Sequence, residues 1–427
     1  MAHDQFRRVD GSVFDGMQLK ILLVSYFYSM SDSTGSLRGR AMAKYLPQNG
    51  IDVAVLTYRP QSESISFSDD IVGVKDITRK TVLLPFFFAL RIWQKSLRWF
   101  GIYLGLCGYW RDTALEHSDE IIQRVKPDAI LVSYPVVEAL EIGVLLSKKY
   151  GLPLISDFRD GLLFDPLETA ALKHAVARRH YSAVEAQVVE ASALILTVSK
   201  PISTYFIERY SHPNVVTLHN GFDPDDITPD KSIDLASDVI NIVHTGRLGS
   251  SRLGSSEKGS GVDALSVAVH ALLARSSGIG HKFRLHFVGQ LSRSEKRSLA
   301  PLAQLGVVKL WGQVPRAKAL ALQRCADVLL LITAPDKASI ATGKLFEYLV
   351  ANKPILALTR GTEAARIVSE TGAGLVVQPD KPEEIAEALE RIIEQGGGLQ
   401  CERDADSIMN FARDQQMKRL ASMMKCI

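Results

Sequence analysis

The sequence predicts an α/β protein of two Rossmann-like domains facing each other across a cleft. Three observations predict it. Short, nearly unbroken apolar runs recur, among them 19–24 (LKILLV), 129–132 (AILV) and 328–332 (VLLLI), and such runs mark parallel strands buried on both faces. Segments of helical period separate them, giving the order strand, loop, helix, strand that builds a parallel sheet. The series then runs a second time after a polar linker, 229–237.

A length of 427 residues accommodates two or three domains with substantial cores. At 46% hydrophobic and 23% charged residues, the composition is that of an ordinary soluble protein. A formal charge of +3 is too small at this length to point to nucleic acid. Cys107, Cys325, Cys401 and Cys426 lie far apart and form no C-x-x-C, which argues against a metal site and suits a reducing compartment. No apolar run reaches the roughly 18 residues of a spanning helix. Residues 1–16, with Arg7, Arg8 and three aspartates, do not resemble a secretory signal. The expectation is a cytoplasmic protein.

Residues 1–17 read as a loose tail and 18–225 as the first domain. Its first strand, 19–24, leads into a loop ending Thr34-Gly35-Ser36-Leu37-Arg38; a helix over 40–46 stops near Pro47 and Gly50, and 51–57 is the second strand. Strand, glycine turn, helix and strand within about forty residues is a Rossmann-like opening. It lacks G-x-G-x-x-G, so a dinucleotide is not indicated. Gly35 permits close backbone approach. Arg38 has two readings, a cap or solvated residue of its helix, or a partner for an anionic group.

Residues 81–110 concentrate Phe86, Phe87, Phe88, Trp93, Trp99, Phe100, Tyr103, Tyr109 and Trp110, with Arg91, Lys95 and Arg98 on one helical face. Either this is a basic aromatic helix lying at a membrane interface, or it is a core helix of the first domain. Strands follow at 129–132 and 154–156 with a helix over 138–149 between them. Asp157-Phe158-Arg159-Asp160-Gly161 then sits at a strand's carboxyl end, where α/β sheets place function. It is a self-contained ion pair or a site for an acceptor hydroxyl. A helix over 170–192, strand 194–198, helix 199–209 and strand 215–218 complete the domain. The tight turn His219-Asn220-Gly221 follows, and the D-x-D of Asp223-Pro224-Asp225 reads as a hinge, not a metal site.

The second domain spans 238–400. Strand 240–243 runs into His244-Thr245-Gly246-Arg247-Leu248 and a loop containing Lys258-Gly259; helix 262–274 and strand 284–289 follow. Strand 307–310 leads to Trp311-Gly312-Gln313-Val314-Pro315, then helix 317–325 and strand 328–332. A polar loop, 333–343, precedes a helix over 344–351 with Leu345, Tyr348 and Leu349 on one face. Pro354 ends it, and 355–358 is the next strand. Helix 361–371, strand 375–377 and helix 383–394 close the domain, and 404–427 is a terminal helix. Glu347 is a solvated face residue, or it accepts hydrogen bonds from a ligand's hydroxyl pair while the helix N-terminus faces phosphate.

The words Lys344-Leu345-Phe346-Glu347-Tyr348-Leu349 and Ala351-Asn352-Lys353-Pro354-Ile355 resemble the donor-site helix of retaining glycosyltransferases of the family 4 type, which have the two-domain GT-B fold. Those enzymes carry two glutamates separated by seven residues. Glu347 matches the second and Ser339 stands in place of the first, as in a branch reading Lys-x-Phe-Glu-Tyr. The resemblance covers nearly all of the chain from residue 19 onward. It implies a terminal helix that crosses back to the first domain.

The resemblance also implies roles. Arg247 and Lys258, from the pattern Gly-Arg-Leu then Lys-Gly, would hold the nucleotide diphosphate and neutralise the leaving group. Gly246, Gly35, Ser339, Thr342, Gly343 and Lys344 would line the phosphate and sugar. Glu347 would hold the ribose hydroxyls, and Gln313 or Val314 the base edge. Arg38, Asp157 and Asp160 would face the acceptor, with Asp160 as the preferred base. The implied reaction moves a sugar from a nucleotide-sugar donor to a hydroxyl with retention, without metal or other cofactor. The implied acceptor is a lipid-linked or surface glycan, approached at a membrane surface through 81–110. A sugar-nucleotide epimerase of the same fold and an inactive surface-binding protein are the alternatives.

Overall fold

A computed structural model describes residues 18–30, 35–59, 65–76, 107–166, 174–226, 233, 235–248, 261–276, 278–333, 337–399 and 401–427. The chain divides into two compact units, Met1–His219 with Arg413–Ile427, and Asn220–Ala412.

The first unit contains strands β1 (Leu19–Val24), β2 (Ile51–Tyr58), β3 (Ile65–Ser68), β4 (Ile71–Val74), β5 (Ala129–Tyr134), β6 (Leu154–Phe158), β7 (Ser192–Thr197) and β8 (Val215–Thr217). They form one sheet of order β3-β4-β2-β1-β5-β6-β7-β8, parallel except for the β3–β4 hairpin at its edge. Among the described residues before the linker its helices are α1 (Leu37–Tyr45), α2 (Gly108–Glu116), α3 (Ser118–Val125), α4 (Val137–Tyr150), α5 (Ala175–Ala191) and α6 (Lys200–Tyr210). β1 shows why an apolar run becomes a central strand. It pairs with β2 on one side and β5 on the other. Successive side chains point to opposite faces, so Ile21 and Leu23 enter one core while Leu22 and Val24 enter the other.

The second unit contains β9 (Ile240–Thr245), β10 (Phe283–Val288), β11 (Val308–Gly312), β12 (Val328–Ile332), β13 (Ile355–Leu358) and β14 (Gly374–Val377). They make a parallel sheet of order β11-β10-β9-β12-β13-β14. Helices α7 (Gly261–Arg275), α8 (Arg293–Gln304), α9 (Arg316–Cys325), α10 (Gly343–Val350), α11 (Glu363–Glu370), α12 (Pro382–Glu394) and α13 (Ala405–Met409) connect and flank them. β12 repeats the logic of β1: Val328, Leu330 and Ile332 face the core shared with α7 and α12, and Leu329 and Leu331 face the core shared with α10 and α11.

The structure differs from the sequence expectation at several places. The β3–β4 hairpin and helices α2, α3 and α8 were not anticipated. Short half-exposed strands such as Ile65–Ser68 carry no buried run to announce them. The segment 81–106 lies outside the described residues, but Trp110 is fully buried and Cys107 nearly so, which places that end of the aromatic stretch in the core. The expected helix 404–427 is two helices. α13 stays with the second unit, and only α14 (Arg413–Met424) joins the first, where Met417, Leu420, Ala421 and Met424 pack beside Ala41, Met42 and Tyr45 of α1. The break is pinned by backbone pairing: Phe222 N–H donates to the Phe411 carbonyl at 3.2 Å, and Phe222 bridges Ala412. The same pairing draws residues 220–225 into the second unit.

Candidate functional site

In the second unit the site residues gather at the carboxyl end of the sheet. α10 begins there because Thr342 takes an extended conformation at its N-cap, and it is held because Leu345, Phe346, Tyr348 and Leu349 are buried. Gly343 is exposed, and a Cβ on it would meet nothing within 4 Å, so the helix start faces open space. A helix start leaves its first N–H groups outside the helical ladder, a setting suited to anions. The loop before it is tied to the next helix, since Glu363 N–H donates to the Ala338 carbonyl (2.8 Å) and Ala364 N–H to that of Ile340 (2.9 Å). Ser339, in this loop, is buried.

Tyr348 locks α10 to β9. The Thr245 N–H donates to its hydroxyl oxygen at 2.8 Å, and burial drives its pKa upward. Glu347, one residue earlier, remains a quarter exposed and accepts from Arg316 Nη2 (3.2 Å) and Gln323 Nε2 (3.1 Å). Gln323 is buried and also reaches Thr245 Oγ1 at 2.8 Å. The carboxylate is therefore oriented by its neighbours while part of it still faces solvent.

Gly246 adopts φ +85°, a conformation that favours glycine. Gly289 packs on its carbonyl so closely that a Cβ there would lie 2.5 Å from that oxygen. This turn presents Arg247, which is exposed and contacts Gln290 Oε1 at 3.2 Å. The Lys344 ammonium reaches under the turn, donating to the Arg247 carbonyl and lying 3.3 Å from His244 Nε2. His244 is fully buried with Nδ1 2.9 Å from the Leu330 carbonyl; burial, with the Lys344 charge, holds its pKa well below the usual histidine range. A neutral ring donating from Nδ1 leaves Nε2 as the acceptor for Lys344.

The structure thus brings Gly246, Arg247, Gly343, Lys344 and Glu347 to one sheet end. Gln313 is exposed beyond β11, and Val314 is half-buried against the α10 core. Lys258 lies outside the described residues. Sequence reasoning missed His244 as the base of Lys344, and Gln323 and Arg316 as supports of Glu347. The only advance signal for Gln323 is an uncharged polar residue in the apolar repeat of its helix.

The first unit corrects two expectations. Arg38 and Asp157 are 3% and 0% exposed and belong to each other: Arg38 Nε and Nη2 reach Asp157 oxygens at 2.9 and 2.7 Å. Arg38 Nη1 donates to the His219 carbonyl (2.9 Å), and Ser133 Oγ donates to Asp157 (3.0 Å). Arg38 is neither solvated nor presented to an acceptor, and Asp157 has no exposed surface for one. Within Asp157-Phe158-Arg159-Asp160 the first carboxylate is taken by Arg38, and Arg159 Nη1 donates to the Gly35 carbonyl. Asp160 is half-buried at the end of this segment.

Glu138, at the start of α4, is buried and accepts from the Cys107 N–H at 2.9 Å. Burial pushes its pKa up to about 7, against the opposing Cys107 hydrogen bond. The folded value lies above the unfolded one, so the favourable contribution is complete below pH 4.5 and is lost as pH rises through 7. Glu138→Gln should therefore stabilise at pH 9 by on the order of 2–3 kcal/mol and have little effect at pH 5. Melting temperatures across that range test this, and a pH-independent difference between variant and parent would refute it.

Residues 241–395 match the model of the glycosyl transferases group 1 family. A comparison with curated proteins finds no match. Among solved structures, the chain is similar to an E. coli trehalose-6-phosphate enzyme bound with UDP-2-fluoro glucose, at 14% identity and TM-score 0.61, covering 96% of this chain and 99% of that one. It is similar to the lipopolysaccharide outer core galactosyltransferase WaaB in its apo form, at 16% identity and TM-score 0.60, covering 95% and 100%. A UDP-N-acetylglucosamine 2-epimerase from Listeria monocytogenes, described as putative in its own structure, follows at 13% identity and TM-score 0.54, covering 96% of both chains. The similarity over nearly the whole chain, with two largely parallel sheets, shows a GT-B-type fold, and the family match is confined to residues 241–395 of the second unit.

Proposed function

We propose that this protein transfers a sugar from a nucleoside-diphosphate sugar to a hydroxyl acceptor, with retention at the anomeric carbon and without a metal ion. The observation that carries the reading is the convergence of Arg247, Lys344, the open α10 start and the oriented Glu347 carboxylate at one sheet end. The UDP-sugar bound to the E. coli relative supports a nucleotide-sugar donor here. Glu347 holds the ribose hydroxyl pair. Arg247 and Lys344, with Lys258, meet the diphosphate, and their hydrogen bonds strengthen as the bond to the sugar breaks. Gly246, Ser339, Thr342 and Gly343 approach phosphate and sugar, and Gln313 or Val314 the base. The departing diphosphate assists deprotonation of the acceptor on the same face, and Asp160 is the carboxylate for the acceptor hydroxyl.

The acceptor in this reading is a lipid-linked or surface glycan, approached at a membrane surface through the part of 81–110 that precedes the buried end at Cys107–Trp110. Among the described residues no helix is long and apolar enough to cross a membrane.

A thermal-shift screen with UDP, GDP, dTDP, CMP and their sugar conjugates tests the donor site. One nucleotide should raise the melting temperature by mass action, and Glu347→Ala should abolish the shift. Absence of any shift would remove the donor assignment. Conversion of the donor to its epimer without acceptor would favour the epimerase reading.

A further inference from the structure

A concavity of about 430 Å³ opens on the edge of the second sheet, lined in part by Ser237, Asp238, Asn241, Arg284, His286 and Lys309. Register puts its strand residues on one face: Arg284 pairs with Asn241, and His286 with Lys309. α9 packs against β9 on the face that carries Leu322 and Val243. The polar residues of β10 and β11 stand further out along the sheet. The cavity is distinct from the donor site. Asn241 and Gly246 are at opposite ends of β9, about 16 Å apart at roughly 3.3 Å per residue.

The floor is a locked hydrogen-bond chain. Trp311 Nε1 donates to His286 Nδ1 at 3.1 Å, so His286 Nε2 carries the proton and donates to Asn241 Oδ1 at 3.0 Å. Asn241 in turn donates to the carbonyls of Ala236 and Val239, fixing the segment that forms the cavity rim. Burial and the charges of Lys309 and Arg284 push the His286 pKa down to about 4, so the ring stays neutral near pH 7.

The walls carry two cations. Among the described residues neither Arg284 nor Lys309 makes an ion pair, and Arg284 Nε is shielded from solvent with no hydrogen-bond partner. A buried guanidinium N–H without an acceptor is costly and calls for one. Lys309 lies 4.1 Å from the Trp311 ring centre, which holds its stem over the sheet. Two cations and the Asp238 carboxylate line the cavity, the Asp327 carboxylate lies behind Asn241 at 3.3 Å from its Nδ2, and the volume suits a small molecule.

We propose that this cavity binds a phosphorylated polyol, with Arg284 and Lys309 on the phosphate and Asp238 and Ser237 on the hydroxyls. Guanidinium and ammonium donors favour a phosphate oxygen, while the Asp238 carboxylate repels a bare anion and accepts from a hydroxyl. The ligand class follows from that mixed wall.

Calorimetric titration of the full chain with glycerol 3-phosphate, inorganic phosphate and glycerol tests this. Glycerol 3-phosphate should bind saturably, at least tenfold more tightly than inorganic phosphate, and glycerol should not bind. Lys309→Ala and Arg284→Gln should each weaken binding tenfold or more, whereas Arg247→Ala should leave it unchanged. Lys309 is exposed, so its variant stays informative if Arg284→Gln fails to fold. No saturable heat, or binding unaffected by both variants, overturns the site. Loss in Arg247→Ala assigns the binding to the donor site instead, and equal affinity for inorganic phosphate overturns the polyol assignment.

Discussion

Asp157→Ala is expected to lower the unfolding free energy by about 3–5 kcal/mol, the range for breaking a buried ion pair from one side. The loss exceeds that of a surface pair because Arg38 would be left charged at 3% exposure, with only the His219 carbonyl among its present acceptors. Ser133 Oγ would lose its acceptor as well. Urea denaturation of the parent and variant measures the effect. The double variant Arg38→Met/Asp157→Leu should recover most of the loss, since replacing both partners removes the stranded charge. A single-variant loss below about 1 kcal/mol, typical of exposed pairs, would show that the pair does not hold the first sheet end as described.

Arg247→Ala is expected to act in the opposite way, on activity and hardly on stability. The side chain is exposed and, among the described residues, makes one side-chain hydrogen bond, to Gln290, so the melting temperature should be unchanged. If the guanidinium meets the leaving diphosphate, kcat should fall by about 10²–10³-fold, the scale for removing one donor aimed at developing charge. Release of nucleoside diphosphate from the donor identified by thermal shift gives the rate. An Arg247→Ala enzyme of normal rate would remove this residue from the reaction. The contrast with Asp157 is physical: a side chain partnered within the protein supports the fold, and one left exposed at a sheet end is available to a ligand.

The fold was legible where burial is uniform. VLLLI at 328–332 has no polar residue to expose, so only a two-faced central strand suits it, and β12 is that strand. The helix over 344–351 was legible from its apolar face and from Pro354, and it begins at Gly343. Edge elements were not. Ile65–Ser68 is half-exposed throughout, and its pairing with β4 depends on a neighbour that period alone does not specify.

In the site, Glu347 was legible as an unusual carboxylate on an apolar helix, but its supports were not. Gln323 and Arg316 lie 24 and 31 positions away and reach it only through packing of α9 beside α10. Arg38 and Asp157 illustrate the limit most clearly. Each looked like a residue for an acceptor, and they are 119 positions apart; burial of both against the same sheet end turns two candidate binding groups into one structural pair.

The sequence by itself determined the class of fold and the repetition of the strand–helix series, because hydrophobic period and glycine or proline geometry act locally; the candidate residues at the second sheet's carboxyl end rested on a resemblance in wording. Tertiary structure alone decided which charges are spent on one another and which remain for a ligand. Partnering at hydrogen-bond distance depends on register and packing between segments far apart in the chain, and no local pattern encodes it.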